Sequence, residues 1–180
     1  MTSSFVIVIA GPTGVGKTTL SKILSKHFNW TYLSEDAIAK EIFLDVYKNI
    51  EDFPDKVKIV GSQLLKRTKE IFNNGECVVI DWINLEKEFI EEIIKAFHKH
   101  LILKVLWSPM AVIIKRDKNR GGWSSGEDTI RRYYKKYKEL KLIIGERNYI
   151  DNSYQTPEET LEKFIVNIEQ NKQQLSTNKL

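Results

Sequence analysis

Eight consecutive residues, Gly11-Pro12-Thr13-Gly14-Val15-Gly16-Lys17-Thr18, carry the most specific chemical pattern in the chain. Gly11, Gly16, Lys17 and Thr18 satisfy the pattern G-x-x-x-x-G-K-[ST]. Glycines let a backbone turn tightly enough for successive N–H groups to converge on one anion. A lysine placed after them reaches the β- and γ-phosphates of a nucleotide, and the next hydroxyl can hold Mg²⁺. Such a loop needs a strand before it and a helix after it, whose N-terminal dipole adds to the anion site. Phe5 to Ala10 is a continuous apolar run that reads as a strand buried on both faces, and Leu20, Ile23, Leu24, His27 and Phe28 then recur at helical spacing. Gly11 through Thr19 is therefore expected to bind the phosphates of ATP, with Mg²⁺ at Thr18.

Three further groups could complete a site. Val78-Val79-Ile80-Asp81 ends an apolar run on a carboxylate. Asp81 there would steady Mg²⁺ or its waters, or it would cap the following turn. Asp36, in Leu33-Ser34-Glu35-Asp36-Ala37-Ile38, lies just past a short strand. It could take a proton from an acceptor hydroxyl, or simply favour the first turn of a helix. Arg116 and Arg120 are four residues apart on one helix face, before a hinge at Gly121-Gly122. They would form a lid that neutralises charge over a triphosphate and excludes water, or else a solvated basic helix end.

The elements that must position these groups alternate. After the first strand and helix comes a strand at Trp30 to Leu33, then a helix capped by Ser34 with Ile38, Ile42 and Val46 on one face. Asn49 to Asp55 reads as a loop. Val57, Val60, Leu64 and Ile71 mark a helix stopped at Asn73-Asn74-Gly75. Strands at Cys77 to Ile80 and Leu101 to Trp107 flank a helix bearing Phe89, Ile90, Ile93 and Phe97. Ser108-Pro109 suggests an N-cap with proline at the first helical position. Ser124 and Glu127 have capping-box spacing ahead of Ile130, Tyr133, Tyr137, Leu140 and Ile144, as have Thr156 and Glu159 ahead of Leu161, Phe164, Ile165 and Ile168. A short strand is expected at Asn148 to Asp151. The pattern predicts an α/β fold: a doubly wound, mostly parallel five-stranded sheet with helices on both faces and ligands at the carboxyl ends of the strands. One domain over 1–168, with a lid at about 116–126, and a polar, fraying tail over 169–180 are expected.

The bulk composition sets the frame. The chain has 180 residues, 42% hydrophobic and 29% charged, with a formal net charge of +4. These values suit one water-soluble domain and a polyanionic ligand, and fall short of a nucleic-acid signature. Cys77 is the only cysteine, so no internal disulfide forms, and the expected compartment is the reducing cytoplasm. The N-terminus lacks a basic region, and its apolar run is too short for a secretory signal or a membrane span. Arg131, Lys135 and Lys138 make a basic face beside Tyr133 and Tyr137, which reads as solvated surface over an aromatic core more readily than as a nucleic-acid surface. Trp82 and Trp123 fall near the expected active edge and are assigned to packing.

Together these features resemble the small P-loop kinases that include polynucleotide 5′-hydroxyl kinases, zeta-toxin-like kinases and chloramphenicol phosphotransferase. The resemblance extends to about Ile168 and rests on the P-loop, on Leu33 to Ile38, on Arg116 to Gly122, and on Tyr149-Ile150-Asp151 before Thr156-Pro157-Glu158-Glu159. It implies that Asp36 contacts and deprotonates the acceptor hydroxyl and that Arg116 and Arg120 belong to a lid. The chain departs from the group in having Ala39, with Lys40 next, where many members carry an arginine three residues after the aspartate; Lys87 is a possible counterpart of a second basic residue. The expected activity is transfer of the ATP γ-phosphoryl group to a hydroxyl of an unidentified acceptor, small molecule or nucleic-acid 5′-end, by a monomer or dimer. A nucleotide kinase with a phosphate acceptor, and an ATP-binding regulatory module without transfer, are the competing expectations.

Overall fold

The computed structural model describes residues 4–44, 53–121 and 124–177. Val46, Asn49 to Asp52, Gly122 and Trp123, which entered the expectations above, lie outside them. In chain order the elements are β1 (Val6–Ala10), α1 (Lys17–Phe28), β2 (Thr31–Ser34), α2 (Glu35–Phe43), α3 (Pro54–Asn73), β3 (Val78–Trp82) and α4 (Lys87–Phe97). β4 (Leu101–Trp107), α5 (Met110–Lys118), α6 (Glu127–Ile144), β5 (Tyr149–Asp151) and α7 (Pro157–Thr177) follow.

The five strands form one sheet in the order β2-β3-β1-β4-β5, and every pairing is parallel. Parallel neighbours need crossovers, and the crossover helices cover both faces. β1 shows both faces at work. Val6, Val8 and Ala10 pack into one layer with Ile38, Val60, Leu64, Ile90 and Tyr137, while Ile7 and Ile9 pack into the other with Leu20, Leu24, Ile113 and Phe164. The chain passes from β1 to β2 on one side and later crosses from β3 over β1 to β4 on the other, so a crevice opens at the carboxyl end of β1. Among the described residues no helix is long and apolar enough to cross a membrane.

Helix ends show which local signals hold. Ser34 caps α2 by accepting the Ala37 N–H at 3.4 Å. Thr156 and Glu159 form a reciprocal box, with Thr156 N–H donating to Glu159 at 2.8 Å and Glu159 N–H to Thr156 Oγ1 at 3.2 Å. Gly75, at φ +84°, ends α3. Pro54 and Asp55 belong to the first turn of α3 rather than to a loop; proline fits there because its missing N–H would have no partner. Ser108 and Ser124 are not caps. α5 begins at Met110 after Pro109, and α6 begins at Glu127 after Gly126, because both serine hydroxyls are engaged elsewhere. α7 runs to Thr177, past the Glu169 at which fraying was expected.

α2 rotates differently from its expected apolar face. Ile38 and Ala39 are 2% and 1% exposed, whereas Ile42 is 37% exposed. Burying 38 and 39 turns the side of 36, 37 and 40 toward the crevice.

α3 packs close to α4 at Gly61, where a Cβ would stand 2.5 Å from the ring of Phe89. Gly61→Leu is expected to lower stability by about 1–3 kcal/mol through overpacking. An unchanged urea midpoint would contradict this close approach.

Candidate active site

The phosphate loop is shaped by its neighbours. Gly11 adopts φ +140°, and a Cβ there would lie 2.5 Å from the Leu106 carbonyl oxygen of β4, which is backbone and cannot swing aside. Gly16 adopts φ +106° at the N-cap of α1 and supplies no side-chain cap. The first turn of α1 contains no acidic residue. The N–H groups of Lys17, Thr18 and Thr19 have no acceptor within the helix, and these three residues line the crevice. Asn152, just past β5, donates from Nδ2 to the Val15 carbonyl at 2.9 Å and so ties the loop to the far edge of the sheet. Lys17 is 7% exposed, and its ammonium donates to the Pro12 carbonyl at 3.1 Å. Burial pulls its pKa down, opposed by the charges of Asp81, Asp36 and Glu35.

The β1–β3 register sets Ile9 beside Asp81 and thereby brings this carboxylate to the loop. Asp81 accepts the Thr18 hydroxyl at 2.5 Å and the Tyr32 hydroxyl at 3.4 Å. The Tyr32 phenol is pushed up to about 12, first by burial and then by Asp81. Asp81 does not cap the turn after β3. The amides of that turn, Ile83 N–H and Asn84 N–H, each donate at 2.8 Å to Glu35 Oε2.

Glu35 is the residue that the sequence reading passed over. Its side chain is buried, 2% exposed, and Oε1 has no hydrogen-bond partner. Burial pushes its carboxyl up to about 7, against the pull of the two amides. Asn84 extends the link, since Tyr133 of α6 donates its hydroxyl to Asn84 Oδ1 at 2.6 Å. A pair of adjacent carboxylates at the start of a helix was the available signal; both line the crevice, and Glu35 also holds the β3 turn.

Asp36 sits in the first turn of α2 and also lines the crevice, so the dipole reading and the acceptor-side placement are compatible. It is electrostatically coupled to Lys17. Ala37 and Lys40 line the same wall, whereas Ala39 is buried in the core. Lys87 does not line the crevice; it lies at the start of α4 facing Glu91 at 3.7 Å.

The lid segment differs from a free pair of arginines. Arg120 lines the crevice and is electrostatically coupled to Lys17. Arg116 borders the crevice, but its guanidinium donates to the Asn152 carbonyl at 2.7 Å, the Ser153 carbonyl at 3.1 Å and the Ser108 hydroxyl at 3.3 Å. These acceptors hold it against the segment after β5. Asp117 accepts the Ser124 hydroxyl at 2.6 Å and the Ser125 N–H at 3.0 Å. Ser125 and Thr13 share a hydrogen bond of 2.7 Å, so the segment is latched to the phosphate loop. Trp82 is fully buried beside Phe89, as packing demands. Tyr133 and Tyr137 are core residues, and Arg131 pairs with Glu127 at 2.5 Å on the exposed side.

The crevice has a volume of about 870 Å³. It is lined by the phosphate loop, Asp81 and Arg120, and also by Asp36, Lys40, Asn84, Thr129 and Tyr133.

Known proteins share this fold. The family model for an AAA domain matches residues 6–140. A cytidylate kinase of Mycoplasmopsis synoviae is 33% identical over 79 residues, covering 41% of this chain and 36% of the relative. The matched stretch thus spans about a third of that protein's length. Among solved structures, a gluconokinase from Sinorhizobium meliloti 1021 superposes with a TM-score of 0.73 at 15% identity, covering 100% of both chains. Shikimate kinase from Acinetobacter baumannii, in complex with shikimate, superposes with a TM-score of 0.66 at 19% identity, covering 99% of this chain and 97% of the other. These likenesses establish the P-loop α/β fold expected for the chain.

Glu35 gives the site a measurable pH signature. Its folded-state pKa is raised from 4.5 to about 7, so the folded state binds more protons between those values. Stability should therefore fall as pH rises through this window, by on the order of 3 kcal/mol. Glu35→Gln, which keeps an acceptor for the two amides, should flatten that slope in urea titrations. Equal slopes for the two proteins would contradict the assignment.

Proposed function

The chain belongs to the AAA domain family that matches residues 6–140, and from that premise we propose that it is an ATP-dependent phosphotransferase acting on a hydroxyl acceptor. The observation that carries this reading is that Asp36 and the P-loop lysine, Lys17, face one crevice and feel each other's charge. A nucleotide-binding module without transfer needs only the donor end; here a second end adjoins it with its own carboxylate.

In this reading the open amides of α1 and the loop receive the β- and γ-phosphates. Lys17 moves its ammonium from the Pro12 carbonyl to the phosphates, and Arg120 neutralises charge on the transferring group. Asp36 accepts the hydroxyl proton as the acceptor oxygen bonds to the γ-phosphorus and the bond to the β,γ-bridging oxygen breaks, leaving ADP. Arg116 acts as a positioning residue, holding the segment after β5 against the loop. The hollow on its far side, lined by Val112, Lys115, Asn119, Ser153 and Tyr154, would take the nucleotide base.

The residues present fit Mg²⁺. Thr18 and Asp81 offer adjacent hard oxygens, and Mg²⁺ is commonly held by one or two protein oxygens together with water and phosphate. Among the described residues no group of three or more His, Cys, Asp or Glu could hold an ion by itself. When bound, the ion would neutralise phosphate charge.

The similarity to cytidylate kinase raises a phosphate acceptor as the second reading. A phosphate at the acceptor end would meet the Asp36 carboxylate, whose negative charge disfavours a dianion. The two readings separate in one assay, in which [γ-³²P]ATP is offered with alcohols, nucleosides, sugars, sugar acids and nucleoside monophosphates. A hydroxyl should be labelled, and Asp36→Asn should lower kcat by about 10²–10⁴-fold. Labelling confined to phosphate acceptors, with Asp36→Asn close to wild type, would replace this function by that of a nucleotide kinase.

A further inference from the structure

Of the two carboxylates that open α2, the phosphotransfer steps use Asp36 and leave Glu35 without a part. β2 pairs with β3 so that Ser34 lies beside Asp81. The next residue, Glu35, reaches the turn beyond β3, where its Oε2 accepts the Ile83 and Asn84 N–H groups at 2.8 Å each. α6 grips the same turn. Tyr137 donates its hydroxyl to the Trp82 carbonyl at 3.2 Å and to the Ile83 carbonyl at 2.9 Å, and Tyr133 donates to Asn84 Oδ1 at 2.6 Å. The start of α2, the β3 turn and α6 are therefore joined through side chains at one place. Glu35, Asp36, Ile83, Asn84 and Tyr133, which these elements carry, all line the crevice. Asp36 follows Glu35 directly in the chain, so the anchoring of Glu35 fixes the backbone from which the Asp36 carboxylate extends.

We propose that Glu35 is a positioning residue for the acceptor side of the crevice. Its neutral carboxyl clamps the start of α2 to the β3 turn and so holds Asp36, Asn84 and Tyr133 in one arrangement; ionisation loosens the clamp. The catalytic consequence rests on the phosphotransfer reading above, whereas the clamp rests on the hydrogen bonds alone. Oε2 already serves two donors, and Oε1 is shielded from solvent with no hydrogen-bond partner. A proton on Oε1 leaves one unmet O–H, but an anion leaves unpaired charge away from water, which costs more. The charged and titratable groups coupled to Glu35 are Asp36 on its own helix, Lys17 of α1 and Tyr137 of α6. Asp36 opposes ionisation of Glu35 and Lys17 favours it. Burial outweighs the favourable contacts and pushes the carboxyl up to about 7. An opened clamp returns Glu35 to water and to its ordinary value of 4.5. Opening therefore becomes easier by up to about tenfold per pH unit between these two values, and no easier above them.

Hydrogen exchange of the Ile83 and Asn84 amides, followed by NMR and corrected for the intrinsic pH dependence of exchange, reads the clamp without any acceptor. Their protection should fall by roughly 30- to 50-fold from pH 5 to pH 7 and then level off. They should also exchange faster than the amides of β1, because the opening is local. In Glu35→Gln the side-chain carbonyl still accepts both amides, and the fall with pH should vanish. Equal pH dependence in the two proteins, or exchange of the turn only together with β1, overturns the clamp. Catalysis is read with an acceptor labelled in the assay above. Glu35→Ala should lower kcat by about 10- to 100-fold while changing the KM for ATP much less, and Glu35→Gln should recover most of that loss. If Glu35→Ala does not fold, Glu35→Asp, one methylene shorter, takes its place in the comparison. Wild-type kcat in the shortened variant, or a glutamine variant as impaired as it, overturns the positioning role and leaves phosphotransfer standing. A pH-dependent clamp in a protein that labels no acceptor removes the phosphotransfer reading and leaves the clamp standing.

Discussion

The site depends on the register of β1 against β3. Ile9 beside Asp81 and Ala10 beside Trp82 place a carboxylate next to the start of α1, and the 2.5 Å contact of Asp81 with the Thr18 hydroxyl follows from that alignment. A slip of one residue would carry Asp81 about 3.3 Å along the strand and turn it to the opposite face. Both strands are buried on both faces, so alternation alone would hold the register weakly. Bulk does more. Trp82 fits beside Phe89 in one layer, and the absence of a Cβ at Gly11 lets the loop pass the Leu106 carbonyl at the next strand.

Around that alignment, polar side chains fasten the loops of the sheet edge to one another. Glu35 joins the start of α2 to the turn after β3, Asn152 joins the segment after β5 to the phosphate loop, and Asp117 with Thr13 latches the lid segment. Each bond is made by a buried or partly buried group, where an unmade partner is costly. The loops that would touch donor and acceptor are thereby held by the scaffold rather than by the ligands. Preorganisation of this kind suits electrostatic stabilisation of a transferring phosphoryl group.

Signals confined to a few neighbouring residues were legible in the sequence. The phosphate loop, the strand ending at Asp81, the Ser34 cap and the Thr156–Glu159 box all involve partners within a few positions, and the parallel five-stranded sheet followed from alternating patterns. What escaped involves partners beyond the three or four positions that a local pattern spans. Ser108 has the type and neighbour of a helix cap, yet its hydroxyl donates to Asn152, 44 residues away. Ser124 matches a box but donates to Asp117. Arg116 reads as a mobile cation until its acceptors at Asn152 and Ser153 are known. Glu35 and Asp36 are indistinguishable as neighbours in sequence. Only the rotation of α2, set by burial of Ile38 and Ala39, picks out Glu35 as the carboxylate that clamps a turn.

In the proposed function donor and acceptor therefore meet in one crevice, with Lys17 on the donor side and Asp36 on the acceptor side. The most direct measurement is a crystal structure with Mg²⁺ and β,γ-imido-ATP. The γ-phosphate should contact Lys17, with the direction opposite the bridging nitrogen opening toward Asp36. A nucleotide seated away from the loop, or a γ-phosphate whose open side faces away from Asp36, would contradict the account.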